Sequence, residues 1–138
     1  MMLTLPSDYR PSDVEEFMNP IHAEYFRQKL LRWRAELLRD ADGTLASLSQ
    51  GGINESDITD RASVETERAL ELRTRDRARK LIAKIDQALL RIDNGNYGYC
   101  EETDEPIGLR RLEARPIATM SIEAQERHER MERELRVV

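Results

Sequence analysis

Two carboxylates three residues apart, Asp57 and Asp60, stand where a glycine-marked break gives way to a long helical pattern. Aspartates at such a place can accept the free N–H groups of a first helical turn and face the positive end of its dipole. Carried on the end of a rod, they could instead be presented to basic side chains or to a hard Mg²⁺ ion, which prefers oxygen ligands. Further along lies RTRDRARK, residues 73–80, with five basic side chains and one acidic. One reading of that run is a solvated face with ion pairs to a neighbouring helix; the other is a patch that binds a partner. The third chemical group is the single cysteine, Cys100, whose imidazole partners would have to be His22 or His128. Nothing else marks a nucleophile with its base, so no enzyme is expected. Cys100 reads as a small buried side chain rather than a redox sensor.

The elements that must position these groups are helical. Phe26, Leu30, Trp33, Leu37, Ala41, Thr44 and Leu48 step by three and four from about Ile21 onward, one face of a helix. Roughly thirty residues at ~1.5 Å rise give a rod of about 45 Å. The run stops at SQGGINESDITD, where Gly51 and Gly52 supply backbone freedom and Asn54, Ser56 and Asp57 favour turns and caps. The stretch from Asp57 to Ile92 then reads as a second long helix, its body beginning near Arg61. Its main seam is Ala78, Ile82, Ile85, Leu89 and Ile92, widened by Leu81 and Ala88, with Val64, Ala69, Leu70 and Leu72 as a looser stripe nearer the break. Two amphipathic helices of matching length joined by a short loop bury their stripes against each other as an antiparallel hairpin, and the loop becomes an exposed tip.

DNGNYG, residues 93–98, signals a helix stop with Gly95 as its C-terminal cap. Tyr97, Tyr99, Ile107, Leu109, Leu112, Ile117, Met120 and Ile122 can furnish a small lobe, and Ser121 opens a last, highly charged helix through about Leu135 with Glu123 in its first turn. Pro6, Pro11 and Pro20 make the first residues an irregular lead-in, from which segments such as Val14 to Met18 can pack on a neighbour. The expected fold is all-α, a long antiparallel coiled-coil hairpin over 19–94 with its tip near 50–61, and a small globular lobe with a C-terminal helix from 1–18 plus 95–138.

Composition sets the outer limits. With 36% charged and 5% aromatic residues, 138 residues are lean material for a globular core and suit an elongated helical chain. A net charge of −5 argues against general attraction to duplex phosphates. One cysteine excludes an intramolecular disulfide framework, and no apolar run is long enough for a signal peptide or a membrane span, so the expected location is cytoplasmic.

The motif Asp-x-x-Asp-x-Ala in DITDRA, the following ELRTRDRARKLIAKI, and YGYCEETDEPIGLRRLEARPIATMSIEA together resemble the DksA/TraR zinc-finger family over roughly Phe17 to His128. The long first helix separates the chain from the shorter TraR-like members. The resemblance implies a transcription factor that does not bind DNA but enters the secondary channel of RNA polymerase. With the alarmone ppGpp it would modulate initiation at rRNA and amino-acid biosynthesis promoters in the stringent response. It makes Asp57, Asp60 and Ala62 the tip that meets the active centre, with Asp60 the acting carboxylate. Arg77 becomes a shaft contact to polymerase, and Leu81, Lys84 and Arg115 the ppGpp positions; a further position, usually basic, is Gln125. The family's four zinc cysteines fall on Cys100, Thr103, Ser121 and Ala124, so no tightly held zinc is expected. A makeshift site from His128 with Glu101, Glu102 and Asp104 is the weaker alternative. The expected partners are RNA polymerase and ppGpp, with the factor acting as a monomer away from membranes. A Gre-type transcript-cleavage factor would also carry acidic residues at a hairpin tip, and a coiled-coil adaptor or dimer would need only the seam.

Overall fold

The computed structural model describes residues 4–50 and 58–137, with side-chain placement for 4–41 and 61–136. It contains helices α1 (Pro20–Gln50), α2 (Ile58–Asn94), α3 (Leu109–Ala114) and α4 (Ile122–Val137). Among the described residues the extended pairing is one isolated antiparallel bridge, Tyr99 to Pro106, so the chain is all-α as expected. No helix among them is long and apolar enough to cross a membrane.

Local chemistry sets the helix ends. The Asn19 side-chain oxygen accepts the N–H groups of Ile21 and His22 at 2.8 and 3.0 Å, and Pro20 takes the first helical position, where its missing donor is not needed. At the other end of the hairpin, α2 begins at Ile58 rather than near Arg61. Asp60 therefore lies within the first turn, not before the helix, where a carboxylate still complements the helix dipole. Its side chain, like all of Asp57, falls outside the described residues, as do the side chains of Thr44 and Leu48. Gly95 ends α2 at φ 79°, its N–H reaching the Ile92 carbonyl at 3.2 Å while the Asn96 N–H reaches Arg91 at 2.9 Å. This is the glycine cap that the sequence indicates.

The chain divides into two compact units, Met1–Leu30 with Gln87–Val138, and Leu31–Asp86. The first holds every aromatic residue except Trp33 and therefore most of the globular core. Phe26, Leu30, Tyr97 and Leu112 are fully buried there. Ring centroids run from Tyr9 to Tyr25 (5.9 Å), Tyr25 to Phe26 (5.1 Å) and Phe26 to Tyr97 (5.7 Å), and the Tyr97 hydroxyl donates to the Pro116 carbonyl at 2.8 Å. Burial in this apolar setting pushes the Tyr97 phenol well above its ordinary pKa. Phe17 of the lead-in meets Tyr99 edge-on at 5.5 Å, so the irregular N-terminal segment does pack on a neighbour. Lys29 ties α1 to the end of α3, donating to the Glu113 carboxylate at 2.6 Å and its carbonyl at 2.9 Å. Although burial alone would raise the Glu113 pKa, hydrogen bonds from Lys29 and Tyr25 hold it below the usual value.

Two features of this unit differ from the sequence reading. Helix α3 has six residues and starts after Gly108, at φ 104°, without a side-chain cap; so short a helix carries no legible periodicity. Ile122 is 51% exposed, because Ser121 and Ala124 take the inward places at the start of α4.

The second unit pairs the rest of α1 and α2. Ala78 and Ile85 are buried, and Trp33, Leu37, Ala41, Leu81 and Ile82 are half-buried. Leu70 and Leu72 do not join them, being 53% and 49% exposed. The inward register runs Val64, Arg68, Glu71, Arg75, Ala78, Ile82, Ile85, alternating steps of four and three. It passes through charged residues whose aliphatic stems can cover the seam, and the two leucines fall on either side of it. Arg34 pairs with Asp86 at 2.7 Å here, and Arg27 pairs with Asp93 at 2.8 Å in the first unit. Seven residues forward on α1 correspond to seven back on α2, the antiparallel register.

Gly98 is held at φ +92°, and a Cβ on it would stand 2.6 Å from Met18 Cε and 3.3 Å from Phe17 Cζ. Gly95 also has positive φ, but a Cβ there would meet nothing within 4 Å. Gly98→Ala is expected to cost about 2–4 kcal/mol and Gly95→Ala about 1–2 kcal/mol, read as the difference between their denaturant midpoints. Equal losses would mean that the lead-in does not constrain Gly98.

Candidate functional site

Arg73, Arg77, Lys80 and Lys84 follow one another at steps of four, three and four, which places them along one face of α2. All four are exposed, and among the described residues none has a hydrogen-bonded or ion-paired partner. Asp76, exposed among them, pairs with none of them. Among the described residues no ion pair from the run 73–80 to α1 is seen, whereas Arg34 and Asp86 do pair across the helices of this unit. Like charges at these spacings repel by a few tenths of a kcal/mol each, so the row relaxes on meeting an acidic surface. On a chain of net charge −5 it is a local reversal of sign. Taking the run as residues 73–80 misses Lys84 and includes Arg75, which turns toward the seam; helical spacing separates them.

The other expected positions are distributed over both units. Ala62 is exposed, in the early turns of α2, and Leu81 is half-buried beside Lys84 in the second unit. Arg115 is exposed in the first unit and ends α3, its N–H donating to the Arg111 carbonyl at 2.7 Å. Gln125 is half-buried and donates to Glu129 at 3.2 Å.

The lobe does bring Cys100, Thr103 and Ser121 together, with Ala124 buried one turn further along α4. The Cys100 sulfur accepts from the Thr103 hydroxyl and from the backbone N–H groups of Ser121, Thr103 and Glu102. Ser121 caps α4, its hydroxyl accepting the Ala124 N–H at 3.2 Å and its carbonyl the Gln125 N–H at 2.9 Å. Backbone bonds frame this knuckle, from Cys100 N–H to Glu105 at 2.8 Å and from Glu101 N–H to Thr119 at 2.9 Å. Arg91 braces it from α2 by donating to the Tyr99 carbonyl at 2.8 Å.

A tetrahedral zinc site wants four thiolate or imidazole donors. These four positions offer one thiol, a threonine hydroxyl directed at that thiol, a serine hydroxyl engaged as a helix cap, and a methyl group. They do not fit the metal. His128 contacts Glu102 instead, and among the described residues no three His, Cys, Asp or Glu side chains converge. Neither histidine serves Cys100 as a base. His22, wholly buried, accepts the Met18 N–H at Nδ1 (3.2 Å), while its Nε2 stands 3.7 Å from the Glu15 carboxylate.

A helical hairpin with a bare basic row, joined to a lobe built on a zinc-finger pattern whose ligands are mostly replaced, defines a class: hairpin factors with a degenerate zinc-finger lobe. Comparison with known proteins agrees. Residues 22–92 match the N-terminal domain of the DnaK suppressor protein DksA, and residues 95–130 match the prokaryotic dksA/traR C4-type zinc finger. The RNA polymerase-binding transcription factor DksA of Caulobacter vibrioides (strain NA1000 / CB15N) is 65% identical over 132 residues, 96% of this chain and 93% of that protein. Its counterpart in Escherichia coli (strain K12) is 43% identical over 115 residues, 83% of this chain and 76% of that protein. Among solved structures, transcription factor DksA2 from Pseudomonas aeruginosa superposes with a TM-score of 0.81 at 44% identity, covering 90% of this chain and 94% of that one. The chain belongs to the DksA/TraR family.

Burial raises the Cys100 pKa, but the hydrogen bonds to its sulfur outweigh that and hold it at about 6, below the ordinary 9.0. A folded-state value below the unfolded one means that the thiolate's contribution to stability is complete above pH 9.0 and is lost as pH falls through about 6. Thiolate absorbance should titrate with a midpoint near 6, and the stability advantage over Cys100→Ser should grow between pH 6 and 9. A midpoint above 8 would show that the sulfur is not an acceptor in this knuckle.

Proposed function

We propose that this chain is a non-enzymatic regulator of transcription initiation that binds RNA polymerase and makes no specific contact with DNA. The observation that carries the reading is the unpartnered row Arg73, Arg77, Lys80 and Lys84 on α2, in a family whose named relatives are RNA polymerase-binding transcription factors. Four exposed cations on an acidic chain suit an acidic protein surface better than nucleic acid, whose phosphates the net charge of −5 would repel. Arginine at position 77 adds a planar fork for carboxylates that lysine lacks.

In this reading the hairpin enters the secondary channel as a monomer in the cytoplasm, bringing Asp57, Asp60 and Ala62 to the active centre. Arg77 and its neighbours hold the shaft. A carboxylate at the active centre acts on basic side chains or on Mg²⁺ there. The alarmone ppGpp is the effector, with Leu81, Lys84 and Arg115 as its contacts at the polymerase boundary, the two cations suiting a polyphosphate. Gln125, where a basic residue is usual, removes one charge and weakens that response. The lobe works without zinc. The promoters acted on are those of rRNA and of amino-acid biosynthesis.

Three variants separate the parts of this reading. Arg77→Ala should weaken polymerase affinity about tenfold, with a shallower dependence on salt. Asp60→Asn should keep affinity within about twofold but abolish the effect on open complexes at an rRNA promoter, since the amide keeps the size of the side chain and removes only its charge. Lys84→Ala should lower the response to ppGpp and leave the alarmone-independent effect intact. Affinity and activity lost together in Asp60→Asn would reduce that residue to a first-turn carboxylate that only steadies α2, and stimulated RNA cleavage by the unaltered chain would indicate Gre-like action instead.

A further inference from the structure

A zinc finger of the four-cysteine type is closed by its metal, which fastens the first ligand pair to the second. Here the corresponding segments are residues 100–103 and the start of α4, and they are closed although three of the four ligands are replaced. Two links span the gap. At its centre the Cys100 sulfur accepts the Ser121 N–H, joining the first segment to the residue that caps α4. At its outer edge Glu102 contacts Nε2 of His128, which lies one helical turn beyond Ala124. Glu102 belongs to the loop between the first two ligand positions and His128 to the helix that carries the fourth. Their contact therefore crosses the same two segments that a metal would cross.

We propose that Glu102 and His128 form a side-chain clasp that, with the Cys100–Ser121 hydrogen bond, replaces the metal as the fastening between the knuckle and α4. Each partner has what that role needs. Glu102 leaves its backbone N–H to the Cys100 sulfur, so its position is fixed from the inside while its carboxylate reaches outward. Across the gap, His128 projects from the same face of α4 as the buried Ala124, four residues earlier, with its side chain partly open to solvent. From Glu129 to Arg136 the rest of α4 is exposed, Met131 and Leu135 included, so little else holds the helix against the lobe beyond its first two turns. Losing either partner should free those turns while leaving the buried core of Phe26, Tyr97 and Leu112 intact.

This inference rests on the zinc-free reading of the lobe, and the two can fail separately. Metal content of the purified full-length chain is measured first; stoichiometric zinc in it would sink the zinc-free reading and the clasp with it. In metal-free chain, amide hydrogen exchange is followed over residues 119–128 for Glu102→Gln, His128→Gln and the double variant. Each single change should speed exchange at the start of α4 about fivefold, the scale of a partly exposed ion pair, and the double variant should add nothing further. Unchanged exchange in both singles, or additive effects in the double, would overturn the clasp. A second arm puts the ligands back: Thr103→Cys, Ser121→Cys and Ala124→Cys are combined with His128→Gln and supplied with zinc. Protection returning to that of the unaltered chain shows that clasp and metal do the same work; protection not returning overturns the equivalence.

Discussion

The first unit is organised around one constraint, that two segments distant in sequence must meet at Cys100 with a single sulfur between them. Four thiolates around a metal would impose that meeting by coordination; one thiolate must do so by accepting hydrogen bonds. The sulfur takes the Thr103 hydroxyl and three backbone N–H groups, which is why residues 100–103 curl around it and why Ser121 approaches at the start of α4. Once the knuckle is closed, Tyr97 can sit beneath it with its hydroxyl on Pro116, and Phe26 of α1 packs against that ring. The helices of the unit take their places from this small polar centre and its aromatic backing.

The second unit is governed by charge more than by volume. Its seam is thin, with Ala78 and Ile85 buried among the described residues and Arg68, Glu71 and Arg75 occupying inward places nearer the bend. A helix with that interior gains modestly from packing and keeps its other face for other purposes. That face carries four cations in a row that have no partner among the described residues. What sets the row apart is its spacing, which gathers four exposed cations along one face of a chain of net charge −5. The relatives from Caulobacter and Escherichia are RNA polymerase-binding transcription factors.

Much of this was legible in the sequence because its signals are periodic. The four-and-three spacing of Phe26, Leu30 and Trp33 and of Ala78, Ile82 and Ile85 gave both long helices, and the DNGNYG turn placed the end of α2. What escaped was aperiodic or polar. Helix α3 is too short to show a repeat, and Leu70 and Leu72 looked like core because the true register runs through Arg68 and Arg75. The replacement of the Cys-x-x-Cys pairs is legible at Cys100, Thr103, Ser121 and Ala124, whereas the contacts around those positions are not. The contact of Glu102 with His128 joins residues 26 apart through a fold that no local pattern reveals.

A photoreactive benzoylphenylalanine in place of Ala62, an exposed residue in the early turns of α2, tests the central claim most directly. Irradiated with RNA polymerase holoenzyme, it should form a crosslink to the largest subunits within the secondary channel, near the catalytic magnesium. Adducts confined to the enzyme's outer surface or to promoter DNA, or no adduct at all under conditions where binding is saturated, would contradict the account.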